Sequence, residues 1–148
     1  MSLVGKQFPY IDVKAIDYLG DSFDINVSKK AKEENKKIIL FWYPKDFTFV
    51  CPTEIHAFQE KMDEFEKRNT IVIGASCDTV EVHFAWLNTP KDDGGIEGVE
   101  YPLISDTTRR LSEKLDILDD ESVTYRATYL IDSTGTVFHE SVNDMPIG

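Results

Sequence analysis

The chain carries two cysteines, Cys51 and Cys77, and the residues around the first have the types and spacing of a reactive thiol. A cysteine attacks only as its thiolate, and a free thiol with pKa of about 8.5 supplies little of that form at neutral pH unless its surroundings favour the charge. After Cys51, Ile55, Phe58, Met62 and Phe65 follow at spacings of three, four and three, the stripe of one helix face. Pro52 is acceptable in the first turn of that helix, where its missing N–H would have no intrahelical partner. Cys51 is therefore expected at a helix N-terminus, whose unpaired N–H groups favour a thiolate. Position alone fits a packed structural thiol equally well. Thr48, three residues upstream, puts a hydroxyl within reach of a substrate oxygen held over the sulfur, and Pro44 can shield the thiolate from water.

The elements needed to hold such a site are visible on either side. The segment 12–27 contains a turn signal at Gly20 and Asp21 between two short alternating runs, the pattern of a hairpin. A polar run from Lys29 to Lys37 gives way to six apolar residues, 38–43, which read as a strand buried on both faces and stopped at Pro44. A second buried strand is expected at 70–76, a helix around Val82 to Leu87, and a short helix near Thr107 to Leu115. Strands alternating with helices imply a parallel core sheet. Residues 126–132 and 134–142 flank Asp132-Ser133-Thr134-Gly135, a hairpin turn that adds an antiparallel pair. The fold class is α/β, with a central mixed sheet flanked by helices and an N-terminal hairpin. Residues 1–148 form one domain without internal repeat or linker, and 89–98 is the longest irregular stretch.

Composition removes several classes of function. With 27 acidic against 16 basic residues and a net charge of −11, binding to nucleic acid or to an anionic membrane is not expected. No run approaches the roughly 20 apolar residues of a membrane span, and the N-terminus has no signal-peptide pattern, so a cytoplasmic location is expected. There is no Cys-x-x-Cys pair and no Cys/His spacing suited to zinc, which argues against a dithiol oxidoreductase and a structural metal. A cysteine phosphatase would need an arginine six residues after the nucleophile, where Ala57 stands. His56, His83 and His139 are isolated in sequence and read as surface or packing residues.

The stretch Phe-Trp-Tyr-Pro-Lys-Asp-Phe-Thr-Phe-Val-Cys-Pro-Thr-Glu-Ile, 41–55, resembles the peroxidatic motif of the peroxiredoxins, in the branch of the typical two-cysteine enzymes and the bacterial alkyl hydroperoxide reductase peroxidase subunit. Segments 74–90, 101–118 and 125–144 fall in the order and spacing of that family. The resemblance implies a thioredoxin-like fold and a thiol-dependent peroxidase that reduces hydrogen peroxide and organic hydroperoxides through a sulfenic acid on Cys51. It assigns Pro44 and Thr48 to the site and adds Arg126, whose permanent charge and several donors would stabilise both the thiolate and the charge developing on the transferring oxygens. Glu54 would hold the arginine by a bidentate contact, although a carboxylate in a first helical turn is also favoured by the helix dipole. Phe47 is a possible subunit-contact residue.

No cofactor and no metal are implied. The expected partners are a hydroperoxide, a thioredoxin-like or flavoprotein disulfide reductant, and a second copy of the chain in a homodimer able to form a decamer. The alternative is a peroxiredoxin-fold chaperone or assembly subunit with weak turnover.

The likeness has one gap. Typical members carry a resolving cysteine in a C-terminal arm, and the sequence here runs only to Gly148, so a truncated domain lacking that arm is expected. Cys77 reads as a small buried thiol, with an internal resolving role as the alternative. The loop Gly94-Gly95-Ile96-Glu97-Gly98 is similar to a glycine-rich loop linked in the family to overoxidation, with an extra residue interrupting it.

Overall fold

The structure is a computed structural model that describes residues 2–46 and 51–143, the side chain of Cys51 excepted. Its seven strands are β1 (Val13–Ile16), β2 (Ser22–Ile25), β3 (Lys37–Trp42), β4 (Thr70–Ser76), β5 (Leu103–Ser105), β6 (Arg126–Ile131) and β7 (Val137–Asn143). Five α-helices accompany them: α1 (Val27–Glu34), α2 (Cys51–Glu60), α3 (Met62–Lys67), α4 (Val80–Leu87) and α5 (Arg110–Lys114). The strands form one mixed sheet in the order β2-β1-β5-β4-β3-β6-β7. The β3–β4 and β4–β5 pairs are parallel, joined by helical crossovers, and the others are antiparallel, with short turns joining β1 to β2 and β6 to β7.

Strand alternation sorts the apolar residues onto two faces. Ile38, Leu40, Trp42, Ile73, Ala127, Tyr129 and Ile131 pack on one face with Val27 and Ala31 of α1 and Leu111 of α5. Phe41, Val72 and Leu103 point the other way, against Ile55 and Phe58 of α2, Met62 and Phe65 of α3, and Trp86 and Leu87 of α4. Phe41 stacks on Phe58 with ring centroids 4.4 Å apart, which seats the helix beginning at Cys51 directly on the central strand. Burying each such side chain is worth about 1.5–3 kcal/mol.

The expected hairpins, central strands and chemistry-bearing helix are all present. The apolar stripe after Cys51 is divided, because the helix breaks at Lys61 and restarts as α3. Two elements carry little sequence signal. Helix α1 lies within the lysine-rich run and buries only Val27, Ser28 and Ala31, with Asn26 capping it by accepting from the Lys29 N–H. Strand β5 has three residues, too few to show a period. Helix α5 is shorter than expected, since Asp106 already accepts from the N–H groups of Leu111 and Ser112. Gly135 takes φ +84 in the final hairpin, as a turn at that point requires.

Candidate active site

Strand β3 delivers the chain to the site and fixes it before releasing it. Its last register pair with β4 is Trp42 with Ala75, and the Tyr43 N–H then donates to the Ala75 carbonyl at 3.0 Å. The Thr124 hydroxyl donates to the Tyr43 carbonyl at 2.9 Å, so both backbone groups of Tyr43 are held. Pro44 follows and is buried. Thr48 and Phe47 lie outside the described residues. Cys51 is the first residue of α2, with Pro52 in the first turn, which is the helix position its sequence pattern demanded.

Arg126 reaches the same edge from β6. That strand runs antiparallel to β3 with Ala127 opposite Trp42, so Arg126 stands beyond the end of β3, on the face that carries Phe41, Thr128 and α2. Its side chain is 7% exposed, and Nη1 donates to Oε2 of Glu54 at 2.8 Å. The contact joins two residues 72 apart in sequence. Glu54 keeps 39% of its side chain exposed, so the pair borders an open cleft lined also by Ala57, Phe58, Thr128 and Ser141. The next turn of α2 is secured as well, because the Tyr101 hydroxyl donates to the Ile55 carbonyl at 2.7 Å. A guanidinium and a helix N-terminus converging on one place can stabilise a thiolate and an oxyanion.

Cys77 follows β4 and is buried, its sulfur 3.7 Å from the Ser112 hydroxyl. Burial pushes its thiol up, the opposite of what a nucleophile needs.

One group of residues was missed by sequence reasoning. His83 is fully buried on α4, with Nδ1 2.6 Å from Oδ2 of Asp46, and the Tyr43 hydroxyl donates to the other Asp46 oxygen at 2.7 Å. Expecting an ordinary packing histidine overlooked this partner because 37 residues separate the two. The available signal was a histidine among the apolar residues of Val-Glu-Val-His-Phe-Ala-Trp-Leu, 80–87, since a buried imidazole requires partners for both nitrogens. Asp46, Asp78 and His83 also bring one potential metal ligand each within 4.8 Å of one another. Those atoms are already engaged: Asp78 Oδ2 accepts from the Asp46 N–H at 2.7 Å and from the Ser76 hydroxyl at 2.8 Å. A cation would have to displace the proton between His83 and Asp46, so the donor set reads as a hydrogen-bonded cluster.

The AhpC/TSA family pattern matches residues 4–140. The chain is similar to Peroxiredoxin-1 of Gekko japonicus, at 43% identity over 146 residues, covering 98% of this chain and 72% of that protein. It is similar to the same degree to alkyl hydroperoxide reductase C of Helicobacter pylori, at 43% identity over 147 residues, covering 99% and 73%. Among solved structures, the reduced 2-Cys peroxiredoxin of Plasmodium vivax superposes with a TM-score of 0.90 at 38% identity, over 97% of this chain and 86% of that one.

Proposed function

The chain belongs to the AhpC/TSA family, that of the peroxiredoxins, and from this premise we propose that it is a thiol-dependent peroxidase with Cys51 as the attacking thiolate. The observation that carries the assignment of the site is the Arg126–Glu54 pair beside the first turn of α2, the helix that Cys51 begins. The thiolate attacks one oxygen of a hydroperoxide in line, the O–O bond breaks, and the other oxygen leaves with a proton as water or an alcohol. Sulfur gains the oxygen and becomes a sulfenic acid, oxidised by the two electrons that reduce the peroxide. Arg126 meets the charge on sulfur and on the separating oxygens, Thr48 orients the peroxide, Pro44 keeps water from the thiolate, and Glu54 holds Arg126.

A second thiol condenses with the sulfenic acid to give a disulfide and water, and a thioredoxin-like or flavoprotein dithiol returns both thiols. Burial and a raised pKa argue against Cys77 in that step. Residues 1–148 act as a single domain whose resolving thiol comes from outside it. The reading extends to a cytoplasmic homodimer able to close into a decamer, supported by the edge position of β7, whose outer side has no neighbouring strand among the described residues. No described helix is long and apolar enough to cross a membrane.

The test is stopped-flow oxidation of the reduced protein by equimolar hydrogen peroxide near neutral pH, followed by thiol-specific mass spectrometry. Oxidation many orders faster than that of free cysteine, with sulfenic acid on Cys51 and complete loss in Cys51→Ser, is the expected result. A folded protein whose Cys51 reacts no faster than free cysteine overturns the reading.

A further inference from the structure

The cluster of Tyr43, Asp46 and His83 takes no part in the chemistry above, yet it is buried and closed on all sides. His83 Nε2 lies 2.9 Å from the Ile104 carbonyl, which can only accept, so Nε2 carries a hydrogen. Nδ1 and the Asp46 carboxyl then share one more proton, as imidazolium and carboxylate or as imidazole and carboxylic acid. In both forms the pair is neutral overall, and both of its rings of contacts are complete: Tyr43 and the shared proton on Asp46, Asp46 and Ile104 on His83. Burial works most strongly against charge on His83, but Asp46, the Ile104 carbonyl and Asp78 together raise the histidine pKa, while burial raises that of Asp46. Both directions favour the form in which the pair holds the shared proton.

Such a pair is a weak source of stability, because desolvating two charged groups offsets most of their attraction. What it supplies is direction. Asp46 is held at its carboxyl by Tyr43 and His83 and at its backbone N–H by Asp78, which the Ser76 hydroxyl holds in turn. These contacts tie one residue to the end of β3, the end of β4 and the middle of α4 at once. Asp46 precedes Cys51 by five positions, and on the far side of the cysteine Glu54 and Ile55 are fixed by Arg126 and Tyr101.

We propose that Asp46 is a positioning residue for the peroxidase reaction: clamped by Tyr43, His83 and Asp78, it sets where the chain leading to Cys51 begins, so that the sulfur meets the peroxide in line. This rests on the peroxidase reading. An in-line displacement is sensitive to misplacement, and an error of about 1 Å costs on the order of 100-fold in rate. Alkylation by iodoacetamide is also an in-line displacement, but that reagent approaches from solvent and orients itself freely, whereas the peroxide is held by the donors of the site. The two rates therefore separate positioning from thiolate formation.

The experiment compares the wild-type protein with Asp46→Asn and Tyr43→Phe, each shown to be folded by circular dichroism and a urea melt. Single-turnover oxidation of Cys51 by hydrogen peroxide is measured beside its alkylation by iodoacetamide. The expected result is a peroxide rate reduced about 10- to 100-fold in Asp46→Asn, with a smaller reduction in Tyr43→Phe and an alkylation rate changed far less in both. Folded variants that react with peroxide as fast as the wild type overturn the proposal. So does a parallel fall of both rates, which marks a purely structural role. If Asp46→Asn does not fold, Tyr43→Phe decides alone, since it keeps the ring and removes only the hydroxyl that contacts Asp46 and His83. A wild-type protein that is itself slow overturns the peroxidase reading and this proposal together, whereas a fast wild type with equally fast variants overturns only this one.

Discussion

Cys51 follows the loop after β3 and Cys77 directly follows β4, two neighbouring parallel strands that bring both cysteines to one edge of the sheet. Cys77 is 9% exposed, and burial is the main reason its thiol is pushed up, with Asp106 and Asp78 adding to the effect and Ser112 and Arg109 opposing it. The Cys51 helix instead opens next to a buried guanidinium that Glu54 holds in place. Proximity to the C-terminal ends of these strands is thus common to both thiols, and the difference lies first in burial and then in the charge arranged nearby. A strand end delivers a cysteine; the field around it decides whether it ionises.

The largest way to break that contrast is Arg126→Met. Removing the cation should make Cys51 behave more like Cys77, with peroxide oxidation slowed about 10²- to 10³-fold, the scale on which single oxyanion-stabilising donors act. Stopped-flow rates and the pH dependence of Cys51 alkylation check this, and an unchanged rate would remove Arg126 from the site. A smaller effect sharpens the other side. Leu111 packs in the core on the α5 side, so Leu111→Ala should cost about 2–5 kcal/mol. Iodoacetamide labelling of Cys77 in the native protein should then rise with the fall in the urea midpoint, while labelling of Cys51 stays nearly constant. If Cys77 already labels rapidly in the wild type, burial is not what silences it.

The third effect is the smallest and concerns pH. His83 binds its proton more tightly folded than unfolded, so its contribution to stability is complete below about pH 6.5 and is lost as pH rises through the raised folded value. Asp46, also raised, acts in the same direction from a lower starting point, its contribution complete only below about pH 4. The urea midpoint should decline as pH increases above about 6.5, and His83→Gln should flatten that decline. An identical slope in the variant would place its origin elsewhere.

Much of this contrast was legible in the sequence. The stripe Ile55, Phe58, Met62 and Phe65 located the helix and hence Cys51 at its start, because burial against Phe41 needs that spacing. Arg126 could be named only through likeness to a family, since nothing local shows that β6 will insert beside β3. His83 stood out among apolar neighbours, but its partner Asp46 was hidden for the same reason: the two belong to segments that meet only once the sheet has formed. Helix α1 was hidden differently, its two apolar anchors Val27 and Ala31 being outnumbered by lysines and glutamates. Periodic elements announce themselves, whereas partners across the sheet do not.

The place of β6 beside β3 also imposes an order on the birth of the protein. Arg126 lies 72 residues beyond Glu54, and translation at about 5–20 residues per second leaves several seconds between the two. During that interval the emerging chain carries Cys51 as an ordinary thiol, without the guanidinium that would make it reactive. On the peroxidase reading proposed above, Arg126 joins the site only when β6 docks against β3, so the arrival of a late strand times the onset of reactivity and spares the nascent chain an oxidation that the finished protein invites.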